Sequence, residues 1–249
     1  MIEQTLITLS IVSHLQGRLV SELLNDLVQY CNNLDFEVIL TLNLPEELDF
    51  SQVDYPFKLN IINNPNPLGF GANHNQAFKY ANGVYFCVLN PDIRLKENLF
   101  LPLISRLRNQ KIGLIAPTVL NSQGLKEDNG RVFPSPFMII LKALGVSKTY
   151  EFTEQEKLIY PDWVGGMFML FSHKIFDELH GFDERYFLYY EDVDICARLR
   201  LKGYIPAIDV QSFAIHNAQR ESHKNLKYLK WHIASMLRFF CSYPYKRKF

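Results

Sequence analysis

Cysteine is scarce and badly placed for bridging. The 249 residues hold four, Cys31, Cys87, Cys196 and Cys241, far apart and with no Cys-x-x-Cys pair. That pattern argues against a disulfide framework and predicts reduced thiols in the cytosol. Long apolar runs are missing too. No stretch approaches the roughly 18 uninterrupted apolar residues of a spanning helix, and the N-terminus lacks the basic-then-apolar pattern of a signal peptide. Net charge is absent, since 26 Lys and Arg balance 26 Asp and Glu, which argues against a general nucleic-acid binder. There is no internal repeat and no low-complexity segment. The charge is nevertheless uneven. Residues 217–249 carry eight Lys or Arg against Glu221 alone, interleaved with Trp231, Leu237, Phe239, Phe240, Tyr243 and Tyr245. Two readings of this basic, aromatic end stay open: peripheral contact with an anionic membrane surface on the cytoplasmic side, or a helix packed on the main domain with a solvated basic face.

What is present reads as a single large α/β domain. At 48% hydrophobic the chain can bury a full core. Apolar runs and helical periodicity alternate along residues 1–117. Strands are expected at Leu6–Val12, Phe36–Leu42, Lys58–Ile62, Val84–Leu89 and Ile112–Pro117, with helices at Leu19–Cys31, Ala72–Ala81 and Leu99–Asn109. This rhythm predicts a Rossmann-like, mostly parallel sheet with nucleotide chemistry at its carboxyl edge. Residues 121–160 read as loops over a cleft, Trp163–Phe171 as a strand interrupted at Gly165-Gly166, and Asp192–Lys202 as a helix stopped by Gly203.

Several constellations carry chemistry. Tyr190-Glu191-Asp192-Val193-Asp194 sets three carboxylates at a helix start, where unpaired N–H groups and the helix dipole favour them. Three are more than a cap needs. Asp194 can cap the helix or pair with Arg198 four residues on, a structural role in either case. Asn90-Pro91-Asp92 closes a buried strand; it is either a polar turn or an oxygen station for a hard divalent cation. His216 follows an apolar run and is either structural or a third member beside the two acidic stations. Leu68-Gly69-Phe70-Gly71-Ala72-Asn73 opens a helix whose N–H groups can receive phosphate, without matching a full dinucleotide or P-loop fingerprint. Trp163 beside Gly165 and Gly166 offers an aromatic face next to bare backbone, or simply a core residue at a bulge. Arg131 is a loop cation for an anion or an ordinary solvated arginine.

Taken in order, these pieces resemble a known family. Leu9-Ser10-Ile11-Val12-Ser13-His14, Leu68–Asn75, Leu89-Asn90-Pro91-Asp92, Trp163–Phe168 and Gly181-Phe182-Asp183 leading to Tyr190–Asp194 are similar to family 2 inverting glycosyltransferases of the GT-A fold, over about residues 6–240. Asn-Pro-Asp in place of Asp-x-Asp, and the tail from Ala214-Ile215-His216 to Trp231-His232, resemble the bacterial rhamnosyltransferases. The resemblance implies that Asp92, weakly seconded by Asn90, and His216 hold Mg²⁺ or Mn²⁺. It implies Asp192 as catalytic base with Glu191 beside it. Ser13, Asn43, Gly69, Gly71, Asn73, Asn90 and Asp92 would then face the nucleotide-sugar donor, and Trp163, Gly165, Gly166 and Arg131 the acceptor. Two departures stand out. Leu42-Asn43-Leu44 lacks the acid that often reads the nucleobase, leaving Asn43 or backbone groups for that role. The first strand ends Ser13-His14 where many members have Thr-Tyr-Asn.

These readings combine into one expectation. Residues 1–216 form a GT-A domain, with a nucleotide-binding half at 1–117 and an acceptor and catalytic half at 118–216, followed by a helical extension at 217–249. The enzyme transfers L-rhamnose from dTDP-β-L-rhamnose to a lipid-linked glycan of the cell surface, such as an O-antigen precursor. Alternatives are the same chemistry with UDP-galactofuranose or UDP-N-acetylglucosamine, and a sugar-nucleotide-binding protein without turnover.

Overall fold

A computed structural model describes residues 5–51, 54–137, 157–217 and 226–242. The first half alternates as expected: β1 (Ile7–Ser13), α1 (Gly17–Tyr30), β2 (Phe36–Leu42), β3 (Lys58–Asn63), α2 (Phe70–Phe78), β4 (Tyr85–Leu89), β5 (Ile93–Arg94), α3 (Phe100–Leu107) and β6 (Ile112–Asn121). The second half holds β7 (Gly130–Arg131), β8 (Leu158–Ile159), β9 (Trp163–Val164), β10 (Phe168–Ser172), α4 (His173–Glu178), α5 (Glu191–Leu201), β11 (Ile205–His216) and α6 (Leu226–Cys241).

One nine-stranded sheet runs β3-β2-β1-β4-β10-β6-β11-β5, with β8 also on β11. β1, β2, β3 and β4 pair in parallel, as do β6 and β11. β10 enters antiparallel between β4 and β6. Side chains alternate across the sheet with period two, so β4 serves two cores. Cys87 and Leu89 join the cluster under α1 and α3, while Phe86 and Val88 join the cluster under α4, α5 and α6. In α1, Val20, Leu23, Leu24 and Leu27 fall on one helical stripe and are fully buried.

Several boundaries differ from the sequence reading. α2 starts at Phe70 rather than Ala72, because the Phe70 N–H finds a partner in Phe187 O at 2.9 Å. The expected strand Trp163–Phe171 is two strands in different sheets. β9 pairs with β7 in a two-stranded ribbon, whereas β10 lies in the main sheet. The break falls at Gly165–Met167, where Gly165 N–H donates to Asn129 O (2.9 Å) and Met167 O accepts from Asn90 N–H (3.0 Å). β6 runs unbroken through residues 117 and 118, so the two halves share one sheet. Of the loops expected at 121–160, residues 138–156 lie outside the described residues, as do 218–225 and 243–249 of the basic end.

Candidate active site

β1, β2, β4 and β11 run in the same direction, so Ser13, Asn43, Asn90, Asp92 and His216 come out on one edge of the sheet. α5 begins in an unusual way. Tyr189 and Tyr190 both take left-handed backbone conformations, φ +70° and +67°, which bulky side chains rarely adopt. The surrounding packing holds them. His232 of α6 stacks edge-on against Tyr189 (5.3 Å) and Tyr190 (5.5 Å), and Phe239 lies 5.7 Å from Tyr190. Ser235 Oγ donates to Leu188 O at 2.9 Å. Strain of this kind persists where neighbours over-determine it, often beside chemistry.

The turn aims Asp192 at the bare backbone of the β9–β10 link. Its Oδ2 accepts from Gly166 N–H (3.2 Å) and its Oδ1 from Val193 N–H (2.9 Å). A side chain at Gly166 would press on Phe70, whose ring lies 3.2 Å from a built Cβ, so glycine permits this approach. Burial pushes the Asp192 carboxyl up to about 6, against the pull of those two N–H groups and of Arg131. Glu191 is only 5% exposed, and its Oε2 has no partner among the described residues. Burial, reinforced by the Asp192 charge, drives its pKa well above the carboxylate range. Burial raises both carboxyls, Glu191 more strongly than Asp192, so Asp192 is the stronger acid of the pair. Asp194 is spoken for. Arg198 Nε donates to its Oδ2 at 2.7 Å, and the same guanidinium caps Leu179 O and Gly181 O.

The second station lies at the ends of β4 and β11. Asn90 and Asp92 occupy a tight turn closed by Ile93 N–H to Asn90 O (3.2 Å), and Asn217 N–H donates to Asp92 O (2.9 Å). β5 pairs antiparallel with β11, bringing His216 opposite Ile93. His216 Nε2 stands 3.2 Å from Asp92 Oδ2, and its Nδ1 stands 2.8 Å from Glu127 Oε2. Burial by itself would lower the imidazole, but the Asp92 and Glu127 carboxylates overcome it and push it up to about 9. Among the described residues no three His, Cys, Asp or Glu side chains form a ready cage for a metal. The pair still suits a cation that leans on its substrate. Asp92 Oδ1 is buried without a partner, and two cis ligands of an octahedral ion sit about 3 Å apart, close to the Asp92–His216 spacing.

Ser13, Asn43 and Asn73, the side chains expected to face the donor, are engaged in hydrogen bonds that shape the loops around them. Ser13 Oγ accepts from Gln16 N–H (3.1 Å). Asn43 Oδ1 accepts from Leu68 N–H (2.8 Å) and Asn64 Nδ2 (3.0 Å), while its Nδ2 donates to Leu68 O (3.0 Å). Asn64 Nδ2 also donates to Asn73 Oδ1 at 2.6 Å. Of the two candidates for reading the nucleobase, Asn43 or backbone groups, the Asn43 amide is engaged by Leu68 and Asn64. Gly69 and Gly71 serve close packing, since a Cβ on either would strike Phe187 backbone (2.6 Å) or Phe182 (2.5 Å). On the β7–β9 ribbon, Trp163 Nε1 donates to Val132 O (2.9 Å), and Arg131, steered by Asp128 (2.8 Å), lies 5.3 Å over the indole. The sequence does not single out Glu127; it marks His14 (3.3 Å from Asn43 Nδ2) only as the end of the first strand, and the α6 aromatics only as part of the basic end, not as the groups packed on Tyr189 and Tyr190.

Comparison with known proteins is consistent with this geometry. Residues 11–179 match the model of glycosyl transferase family 2. The rhamnosyltransferase WbbL of Escherichia coli is 32% identical over 69% of this chain and 69% of its own length. The N-acetylglucosaminyl-diphospho-decaprenol L-rhamnosyltransferase of Mycobacterium tuberculosis is 26% identical over 56% of this chain, and the match spans 50% of that protein. Among solved structures, GalNAc-T7 with UDP, GalNAc and Mn²⁺ superposes at a TM-score of 0.69, with 13% identity, over 89% of this chain and 45% of its own. A mannosyltransferase from Pyrobaculum calidifontis in complex with GDP-Man and Mn²⁺ gives 0.63, with 14% identity, over 95% of this chain and 65% of its own. At such low identity these two structures speak for the GT-A fold alone.

Proposed function

We propose a function for this chain from one premise: it belongs to glycosyl transferase family 2. It is a glycosyltransferase, and our reading of its reaction is inverting transfer of L-rhamnose from dTDP-β-L-rhamnose to a polyprenyl-diphosphate-linked glycan of the cell surface. Two relatives named as rhamnosyltransferases support the sugar, and the decaprenol-linked one supports the acceptor class.

The observation that carries the chemistry is the split between Glu191 and Asp192. A sugar hydroxyl is a poor nucleophile at neutral pH and needs a base within hydrogen-bond reach. Asp192 is half-buried, raised to about 6 and aimed across Gly166, so it is ionised at pH 7 yet basic enough to accept a proton. The acceptor O–H gives its proton to Asp192 as its oxygen bonds to the anomeric carbon. The bond from that carbon to the diphosphate breaks, and the nucleoside diphosphate leaves. Attack opposite the leaving group inverts the centre and yields an α-L-rhamnoside. Glu191, buried beside it and raised more strongly, is the weaker acid of the two. Trp163 and Arg131 frame the acceptor sugar, with Gly165 and Gly166 giving it room. The loop built by Ser13, Asn43, Gly69, Gly71 and Asn73 receives the donor, chiefly through backbone groups. Asp92 and His216, with Asn90 beside them, would hold a divalent cation, which when bound neutralises charge on the diphosphate.

Residues 1–117 serve the donor, 118–216 the acceptor and the base, and the extension from 217 the membrane. No helix among the described residues is long and apolar enough to cross a bilayer. α6 is suited to lie on one from the cytoplasmic side. Ser235 and Phe239 are buried against the domain, while Leu229, Ile233 and Leu237, at helical spacing on the far side, are 55%, 44% and 57% exposed. Lys230 lines the same surface, and no acid follows Glu221. An apolar stripe among basic residues fits an anionic lipid surface.

The test is a panel of sugar nucleotides offered to purified protein, with turnover followed by mass. Release of dTDP from dTDP-rhamnose above all other donors supports the reading. A clear preference for a UDP-sugar would give the reaction to another donor, and binding without turnover of any would make the chain a binding protein.

A further inference from the structure

We propose that Glu127 is a positioning residue of the cation site. It grips His216 by Nδ1, so that Nε2 stays presented beside Asp92. The proposal rests on the reading of Asp92 and His216 as cation ligands.

Glu127 lies in the segment that doubles back along β6. Its N–H donates to Val119 O (2.8 Å) and its carbonyl accepts from Asn129 N–H (3.0 Å), so the backbone is pinned on both sides. The tight turn before it is held by Asn121, whose Oδ1 accepts from Gln123 and Leu125 N–H groups at 2.9 and 3.0 Å. β6 pairs with β11 out to Asn121 and His216. The return strand therefore delivers Glu127 alongside the end of β11, and Oε2 reaches His216 Nδ1 at 2.8 Å. The histidine is left 13% exposed, with Asp92 at its other nitrogen.

An imidazole binds a cation through one nitrogen only if the other carries the proton. A carboxylate on the far nitrogen fixes that tautomer, locks the ring orientation and makes the ligating nitrogen more basic. Glu127 stands on that far nitrogen. It does not converge with Asp92 on a common point, because the histidine ring separates them. Its role is therefore to orient the ligand and not to serve as one.

The test measures Mn²⁺ affinity by electron paramagnetic resonance in the presence of saturating dTDP, alongside thermal melting. Glu127→Ala is expected to weaken Mn²⁺ binding by roughly 10–100-fold, the usual cost of losing such a partner. Glu127→Gln keeps an acceptor for Nδ1 without the charge and is expected to restore part of the loss. Should the alanine variant fail to fold, the glutamine variant decides alone: several-fold weaker binding supports the proposal, and unchanged binding refutes it. A folded Glu127→Ala that binds Mn²⁺ as well as wild type overturns the positioning role. Wild type that binds no Mn²⁺ with dTDP overturns the cation reading of Asp92 and His216, and Glu127's part with it.

Discussion

Replacing Asp192 by asparagine removes the base while keeping its shape, and it should both cripple the enzyme and stabilise it. General-base catalysis contributes about 10²–10⁴-fold, so turnover should fall by that factor with donor affinity little changed. The stability effect follows from burial. Asp192 rises from 3.8 to about 6 on folding, and at about 1.4 kcal/mol per tenfold this is a cost of about 3 kcal/mol when the group is ionised. The asparagine keeps one acceptor, for Val193, and forfeits the Gly166 bond at about 1 kcal/mol. Water at the half-buried group trims the remainder, leaving a gain of about 1–2 kcal/mol. The sign with pH is fixed. A carboxyl raised on folding favours the fold below its unfolded pKa, and that advantage is lost as pH rises through its folded value. The variant's advantage should therefore open between about pH 4 and pH 6 and level off above. Chemical denaturation of both proteins across that range, with turnover at pH 7.5, provides the assay. Near-normal turnover in Asp192→Asn with a dead Glu191→Gln would move the base by one residue. Activity in both variants would make the cluster a helix cap, and a stability gap independent of pH would refute the burial argument.

The remaining predictions touch other parts of the molecule. Asp92→Ala should abolish Mg²⁺- or Mn²⁺-dependent turnover and His216→Ala should weaken metal use more than folding; full wild-type activity in excess EDTA would exclude a required metal. Arg198→Ala strands the buried Asp194 and frees two carbonyls, so it should cost about 3–5 kcal/mol in denaturant melts; a loss under 1 kcal/mol would contradict the pairing. Wild type should bind anionic vesicles in a salt-sensitive way, and Leu229, Ile233 and Leu237 changed together to serine should release it. Equal binding to neutral and anionic vesicles would sink the membrane reading.

Much of the fold was legible because its cause is local. Phe36–Leu42 is buried end to end between parallel neighbours, so it reads as a mostly apolar strand in which only Glu37 and Thr41 are polar. The acids of α5 stood out because helix starts rarely need three, and the pairing of Asp194 with Arg198 follows from helical spacing. What escaped depends on distant partners. Nothing in Trp163–Phe171 announces that β9 and β10 belong to different sheets, since that division rests on Asn129 and Asn90 accepting or donating across the break. Asn43 looked free to read a base because its partners Asn64 and Leu68 meet it only after the loop closes. Glu127, 89 residues from His216, carries no local sign of its role.

Purified protein, given dTDP-β-L-rhamnose and a polyprenyl-diphosphate-linked glycan acceptor, should yield a product one rhamnose heavier, and NMR of its anomeric centre should read α. A β-linked rhamnoside would contradict inversion, and transfer of a different sugar in preference to rhamnose would contradict the donor.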